Sequence, residues 1–138
     1  MTTNVAGSAK ITEAFAPLIS KSNNPRVVFM SSKLGSVKIQ ADENYHKAWP
    51  AYASSKSTLN SIMLWFAHQY PDWKVNACCP GFRATAINNY GGTTTATPGK
   101  LEDGAVNAVR LAALGKDGET ATFTQRDDET GEIRTLPW

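Results

Sequence analysis

Arg26-Val27-Val28-Phe29-Met30-Ser31-Ser32 decides the fold. Its first five residues are a short continuous apolar run rich in β-branched side chains, the pattern of a strand covered on both faces. Upstream, Val5 to Ser20 carries Val5, Ile11, Phe15, Leu18 and Ile19 as the apolar side of a helix, closed by Ser22, Asn23, Asn24 and Pro25. Downstream, a polar loop through Gly35, Asp42, Glu43, Asn44 and Pro50 leads to Ala53, Leu59, Ile62, Met63 and Phe66, apolar at helical spacing with no proline until Pro71. Lys74 to Cys79 reads as a second strand, stopped by Pro80-Gly81. Strand, helix, strand implies a parallel pair joined by a crossover, which is nearly always right-handed. Phe82 to Gly99, rich in Gly, Thr and Asn, reads as a mobile loop, Leu101 to Leu114 as a third helix stopped by Gly115, and Ala121 to Gln125 as a third strand. The expected fold class is α/β, with three mainly parallel strands and three main covering helices.

The 138 residues suit a single domain, 1–138, and 41% hydrophobic with 19% charged residues suits a globular chain able to bury a sizeable core. The net charge of +2 is scattered, with no basic run or aromatic-interleaved stripe, so nucleic acid is not an expected partner. Apolar stretches fall far short of the roughly 20 residues a membrane helix needs, and the first residues lack the form of a leader. The expected location is cytoplasmic, with no membrane partner. Cys78 and Cys79 are adjacent at a strand end, which suits small buried residues better than a disulfide or metal pair, and His46 and His68 lack partner spacing for a metal or a triad. No metal site is expected.

Tyr52-Ala53-Ser54-Ser55-Lys56 carries the chemistry. On a helix, positions four apart are neighbours, and a cation beside a phenol favours the phenolate, lowering a pKa of about 10 toward the working pH. A tyrosine so tuned can give a proton to a carbonyl oxygen or take one from an alcohol. Tyr70 and Lys74 have the same spacing, but Pro71 breaks the helix between them. The pentapeptide alone is equally compatible with a solvated Tyr and Lys on a surface helix.

Several separate stretches fall into one register. Asn4-Val5-Ala6-Gly7, Val28-Phe29-Met30-Ser31-Ser32-Lys33-Leu34-Gly35, Tyr52-Ala53-Ser54-Ser55-Lys56, Val75 to Thr85 and Glu102-Asp103-Gly104-Ala105 occur in that order. Together they make the chain similar to the C-terminal portion of a classical short-chain dehydrogenase/reductase, over nearly its whole length. The resemblance implies part of a Rossmann-like, doubly wound sheet and an NAD(P)-dependent oxidoreductase that interconverts a small-molecule carbonyl and an alcohol by hydride transfer.

Carried over by that resemblance, Tyr52 is the general acid/base and Lys56 its pKa modifier and a ligand of the nicotinamide ribose. Ser32 orients the substrate oxygen, and Asn4 completes the tetrad by holding the lysine through a water. Ser32 is preferred to Ser31 because the family serine precedes an x-x-Gly, here Lys33-Leu34-Gly35; Ser31 has strand-end hydrogen bonding as its alternative. Pro80, Gly81, Phe82 and Thr85 are expected beside the cofactor, Tyr52 and Lys56 being counted with them; Thr85 has the alternative of an ordinary loop hydroxyl. Ser54, Ser55 and Asn60 are read as structural. Gln40 to Ala51 and Ala86 to Gly99 would shape the substrate side, with Trp49 and Tyr90 as apolar walls. The first two helices form the dimer face of many relatives, so a homo-oligomer is an expectation by resemblance alone.

The family's dinucleotide site also needs a Gly-rich turn between a strand and a helix. Gly91-Gly92 and Gly115 to Gly118 do not follow a strand and open a helix in that way. Two readings therefore stand: the oxidoreductase, and a truncated, non-catalytic half-domain that binds no dinucleotide alone and serves at most as an association partner. Neither the substrate nor the choice between NAD and NADP is written in this sequence.

Overall fold

The computed structural model of the chain describes residues 1–42, 49–92 and 96–138. A π-helical turn, Thr2–Gly7, runs directly into α1 (Ser8–Ile19). Next come β1 (Arg26–Met30), a tight helical turn at Lys33–Gly35 and the short α2 (Val37–Gln40). The long α3 (Pro50–Gln69) leads to β2 (Lys74–Cys79) and a second tight turn at Ala86–Gly91. Then α4 (Asp103–Ala112), β3 (Phe123–Arg126) and β4 (Ile133–Thr135) complete the order. The sheet runs β1-β2-β3-β4, with β1, β2 and β3 parallel and β4 antiparallel to β3.

The α/β class and the mainly parallel sheet are as the sequence implies. β1 and β2 have the bounds read from the sequence; β2 is buried from Val75 to Cys79, whereas β1 buries Phe29 and leaves Met30 43% exposed. The third strand lies at Phe123–Arg126 rather than Ala121 to Gln125, since Ala121 takes a left-handed φ of 55° as the chain turns into the sheet. The sequence reading did not include β4: its three residues are all exposed and form no apolar run.

The core lies between α3 and the sheet. Met63, Phe66, Val75, Ala77 and Phe123 are at most 1% exposed. Phe29, Phe66, Tyr70 and Trp73 form a chain of stacked rings, with centroids 6.0, 6.3 and 4.0 Å apart in succession. Buried Asn76 is satisfied within the sheet: its Nδ2 donates to Glu119 O at 2.9 Å, and its Oδ1 accepts from the backbone and hydroxyl of Thr122 at 3.0 Å each. That pairing fixes the entry of β3 beside β2, which an apolar residue at 76 could not do. Cys78 and Cys79 are free and buried, in keeping with their reading as small strand-end residues.

The second edge of β1 pairs with no described strand. Alongside it α1 leaves Ile11, Phe15 and Leu18 63, 54 and 60% exposed. A groove of about 730 Å³ follows this edge from Arg26 to Met30 and ends at Asn4 and Lys56.

Candidate active site

Parallel strands bring their C-terminal ends to one side of the sheet, and the candidate residues gather there. β1 ends at Met30, and the chain leaves it through two serines that diverge. Ser31 prolongs the ladder by donating its N–H to Cys78 O at 2.8 Å, and its buried hydroxyl donates to Asn60 Oδ1 at 2.6 Å. Ser32 instead opens the Lys33–Gly35 turn, its Oγ accepting from Leu34 N at 3.3 Å. The same side chain lies near enough to the Tyr52 phenol to act on its ionisation.

Gly35 is what lets this turn reach α3. A Cβ there would lie 2.7, 2.8 and 2.9 Å from the C, Cβ and O of Lys56. Two of those three atoms are helix backbone and cannot yield. Gly35→Ala is therefore expected to cost about 1–3 kcal/mol and to push the Ser32 turn off Tyr52; urea denaturation and the amide shifts of Ser32 and Leu34 check both effects. Gln40 fastens the following α2 to the same helix, its Nε2 donating to Leu34 O at 2.8 Å and to Ser57 Oγ at 3.1 Å.

Tyr52 and Lys56 occupy the first two turns of α3, which begins with Pro50 at its first position, where a missing N–H is harmless. Their side chains share a face, with Lys56 Nζ 5.7 Å from the centroid of the Tyr52 ring. Nζ donates to Met30 O at 2.7 Å, tying α3 to the end of β1. Burial pushes the Tyr52 phenol above its ordinary value, with the Ser32 hydrogen bond acting in the opposite sense. Burial also draws the Lys56 ammonium below the usual lysine range. The lowered phenol anticipated from the spacing is thus not met in this arrangement. Desolvation of the ring outweighs a cation that is turned toward a backbone carbonyl.

Asn4 sits on the π-helical turn before α1. Its Nδ2 donates to Ser55 Oγ at 3.0 Å, and Ser55 Oγ in turn donates to Tyr52 O at 2.7 Å. The amide therefore meets α3 at the residue before Lys56, and Asn4 and Lys56 line the same groove. Ser55, read from the sequence as structural, is the link between Asn4 and the Tyr52 turn; nothing in the pentapeptide separates it from Ser54.

β2 delivers Pro80, Gly81 and Phe82 to this end, with Gly81 at φ 76°, a conformation that favours glycine. Cys79 Sγ accepts from Gly81 N at 3.4 Å. Thr85 caps the Ala86–Gly91 turn reciprocally with Asn88, whose Oδ1 accepts from Thr85 N at 2.9 Å. Its hydroxyl thus serves the loop in this arrangement. Within the segment read as a mobile loop lies Arg83, a buried cation paired with Asp128 and missed by the sequence reading because its partner lies 45 positions on. The substrate-side residues 43–48, His46 among them, and 93–95 lie outside the described residues. Trp49 and Tyr90, the expected apolar walls, are 61 and 73% exposed.

Asp128 gives a pH-dependent signal. The hydrogen bond from Arg83 holds its carboxyl below the ordinary value of 3.8. A depressed carboxyl stabilises the fold above its unfolded pKa, and that stabilisation is lost as pH falls through the folded value. Asp128→Asn is expected to lower Tm at neutral pH and to flatten its fall below about pH 4, as followed by circular dichroism.

Among the described residues no group of three His, Cys, Asp or Glu is placed to hold a metal ion, and no helix is long and apolar enough to cross a membrane. A groove of about 650 Å³ at the other end of the sheet, lined by Pro25, Tyr70 and Lys74, is remote from Tyr52.

A mostly parallel sheet with a serine, a tyrosine and a lysine converging at its C-terminal end defines the class, and the chain belongs to the short-chain dehydrogenase family, whose model matches residues 1–95. Short-chain dehydrogenase/reductase ATR10 of Stachybotrys chlorohalonatus is 45% identical over an alignment that covers 100% of this chain and 53% of the relative. The structure of salutaridine reductase from Papaver somniferum matches with a TM-score of 0.70 at 26% identity, covering 87% of this chain and 51% of that one. A short-chain dehydrogenase of Escherichia coli CFT073, solved with NADPH, matches with a TM-score of 0.66 at 26% identity, covering 88% and 49%. The chain spans about half the length of the curated relatives it matches.

Proposed function

We propose that this chain carries the catalytic portion of an NAD(P)-dependent oxidoreductase that interconverts a small-molecule carbonyl and an alcohol. The observation that supports it most is the convergence of three side chains: Lys56 Nζ stands 5.7 Å from the Tyr52 ring one turn along the same helix face, and Ser32 lies near enough to the phenol to act on its ionisation. The dinucleotide, when bound, exchanges the hydride with the substrate carbon. The chain's own residues handle the oxygen and its proton. Ser32 Oγ and Tyr52 Oη form a two-point cradle for one substrate oxygen, and Tyr52 gives or takes the proton there. With its pKa raised, the phenol is protonated at neutral pH, the state required to donate to a carbonyl.

The donors present fit the nicotinamide end of such a cofactor. An ammonium has three N–H groups, and Lys56 commits one of them to Met30 O beside the groove. Swinging from that carbonyl to the nicotinamide ribose would bring the charge closer to the phenol and favour its ionisation. Asn4 steadies the Tyr52 turn through Ser55, and in this reading holds Lys56 through a water. Pro80, Gly81 and Phe82 provide a wall at the end of β2, and Thr85 would have to exchange its capping bond for a cofactor contact. The pyrophosphate end has no counterpart in the sequence, which contains no Gly-rich turn in the required context.

The buried free thiols suit a reducing, cytoplasmic setting. Exposed Ile11 and Phe15 on α1 and Trp65 on α3 would serve homo-oligomer formation through the first two long helices. The test of the proposal is NADPH and NADH oxidation at 340 nm by chain 1–138 with a panel of ketones and aldehydes. Substrate-dependent oxidation supports it, and none across the panel argues for the second reading.

In that second reading the chain is a non-catalytic half-domain. The edge of β1 that no described strand pairs and the exposed apolar side of α1 favour it, because an open parallel edge is a template for another strand. Such a chain would bind no dinucleotide by itself and would act through association.

A further inference from the structure

Arg83 is a cation outside the proton-transfer scheme, in the loop that scheme uses. It is 8% exposed. Its Nη1 and Nη2 donate to Asp128 Oδ2 and Oδ1 at 2.8 and 2.6 Å, a bidentate pair across 45 positions of chain. Nη1 also donates to Phe82 O at 3.0 Å. Three glycines make the space. A Cβ on Gly99 would fall 2.0 Å from Nη1 and 2.6 Å from Asp128 Oδ2, one on Gly81 3.1 Å from Nη2, and one on Gly104 3.1 Å from Nε.

The backbone of the loop closes on the same point. Asn88 Nδ2 donates to Arg83 O at 2.7 Å, and Gly99 N donates to Phe82 O at 3.0 Å. Both ends of the 82–99 segment and the turn between β3 and β4 therefore meet at one guanidinium. A buried guanidinium is tolerated only when paired, and removal of one partner leaves an uncompensated charge. The planar fork also matches a carboxylate in a way lysine cannot reproduce. A surface arginine would need neither the cradle nor the second carboxylate contact.

We infer that Arg83, clamped by Asp128 in the cradle of Gly81, Gly99 and Gly104, is a positioning residue that sets the conformation of the loop after β2. It thereby holds Pro80 to Thr85 against the nicotinamide, a consequence that rests on the proposed function. The clamp acts through the loop and touches neither Tyr52 nor the substrate oxygen.

The test is amide hydrogen exchange on chain 1–138, comparing the parent with Arg83→Met, Arg83→Lys and Asp128→Asn. Protection of the Tyr90 and Gly92 amides, which bond Thr85 O and Asn89 O at 2.7 and 3.0 Å, is read against that of α3 and β2. The Met variant is expected to lose about a hundredfold of loop protection, the Lys variant to recover it only in part, and the core amides to stay near the parent. Asp128→Asn, which preserves shape, decides the matter if the Met variant does not fold. Unchanged loop exchange, or an equal rise in the core, overturns the clamp. NADPH titration of the same samples separates the two layers. Weaker binding with a loosened loop supports the positioning role, and unaltered binding with a loosened loop overturns it. A parent that binds no NADPH instead counts against the proposed function, and the exchange data still judge the clamp.

Discussion

Tyr52→Phe is expected to lower the rate of carbonyl reduction by about 10²- to 10⁴-fold while leaving the fold and nicotinamide affinity close to the parent's. The change removes one oxygen, the one whose ionisation Ser32 influences, and keeps the ring that Lys56 Nζ approaches at 5.7 Å. Without the phenol the developing alkoxide has Ser32 as its only partner of the pair. The effect belongs in kcat rather than KM, since the proton moves in the transition state. Steady-state kinetics on a carbonyl that the parent reduces, with far-UV circular dichroism as the control for folding, measures it. A variant within a few-fold of the parent in kcat would remove Tyr52 from the acid/base role.

Phe66→Ala carries the largest expected cost in stability, about 3–5 kcal/mol. Its ring is 1% exposed, stacks between Phe29 and Tyr70 and takes an edge contact from Trp65 at 4.9 Å. Emptying that position opens a cavity between α3 and β1, lined by rings too stiff to collapse into it. Because α3 also carries Tyr52 and Lys56, loss of its seat reaches the site as well as the core. Equilibrium urea denaturation should show a much lower midpoint with an unchanged slope. A cost below about 1 kcal/mol would mean that α3 is not packed as described.

The first two strands were legible from their β-branched and small apolar residues: Arg26–Met30 and Lys74–Cys79 can be read residue for residue. β4 was not, since three exposed residues leave no apolar pattern. Gly35 was visible as the glycine of Ser32-Lys33-Leu34-Gly35, and the structure adds why it is needed, the approach to Lys56. The direction of the Tyr52 shift was not legible. Sequence spacing reports that a cation is near but not that it is turned to Met30 O, nor how far the ring is desolvated. Arg83 and Asp128 were invisible for a different reason: their pairing depends on β3 lying beside β2, a long-range consequence of topology. The Asn4–Ser55 contact is hidden in the same way, joining the first turn of the chain to α3 across 51 positions.

The most direct measurement is a titration of chain 1–138 with NADPH and NADH, followed by nicotinamide fluorescence and repeated with Lys56→Ala. The proposed site predicts saturable binding of at least one dinucleotide that weakens by about tenfold or more without the lysine, the loss expected for one charge-assisted hydrogen bond. A folded parent that binds neither dinucleotide, or a lysine variant that binds as well as the parent, would contradict it.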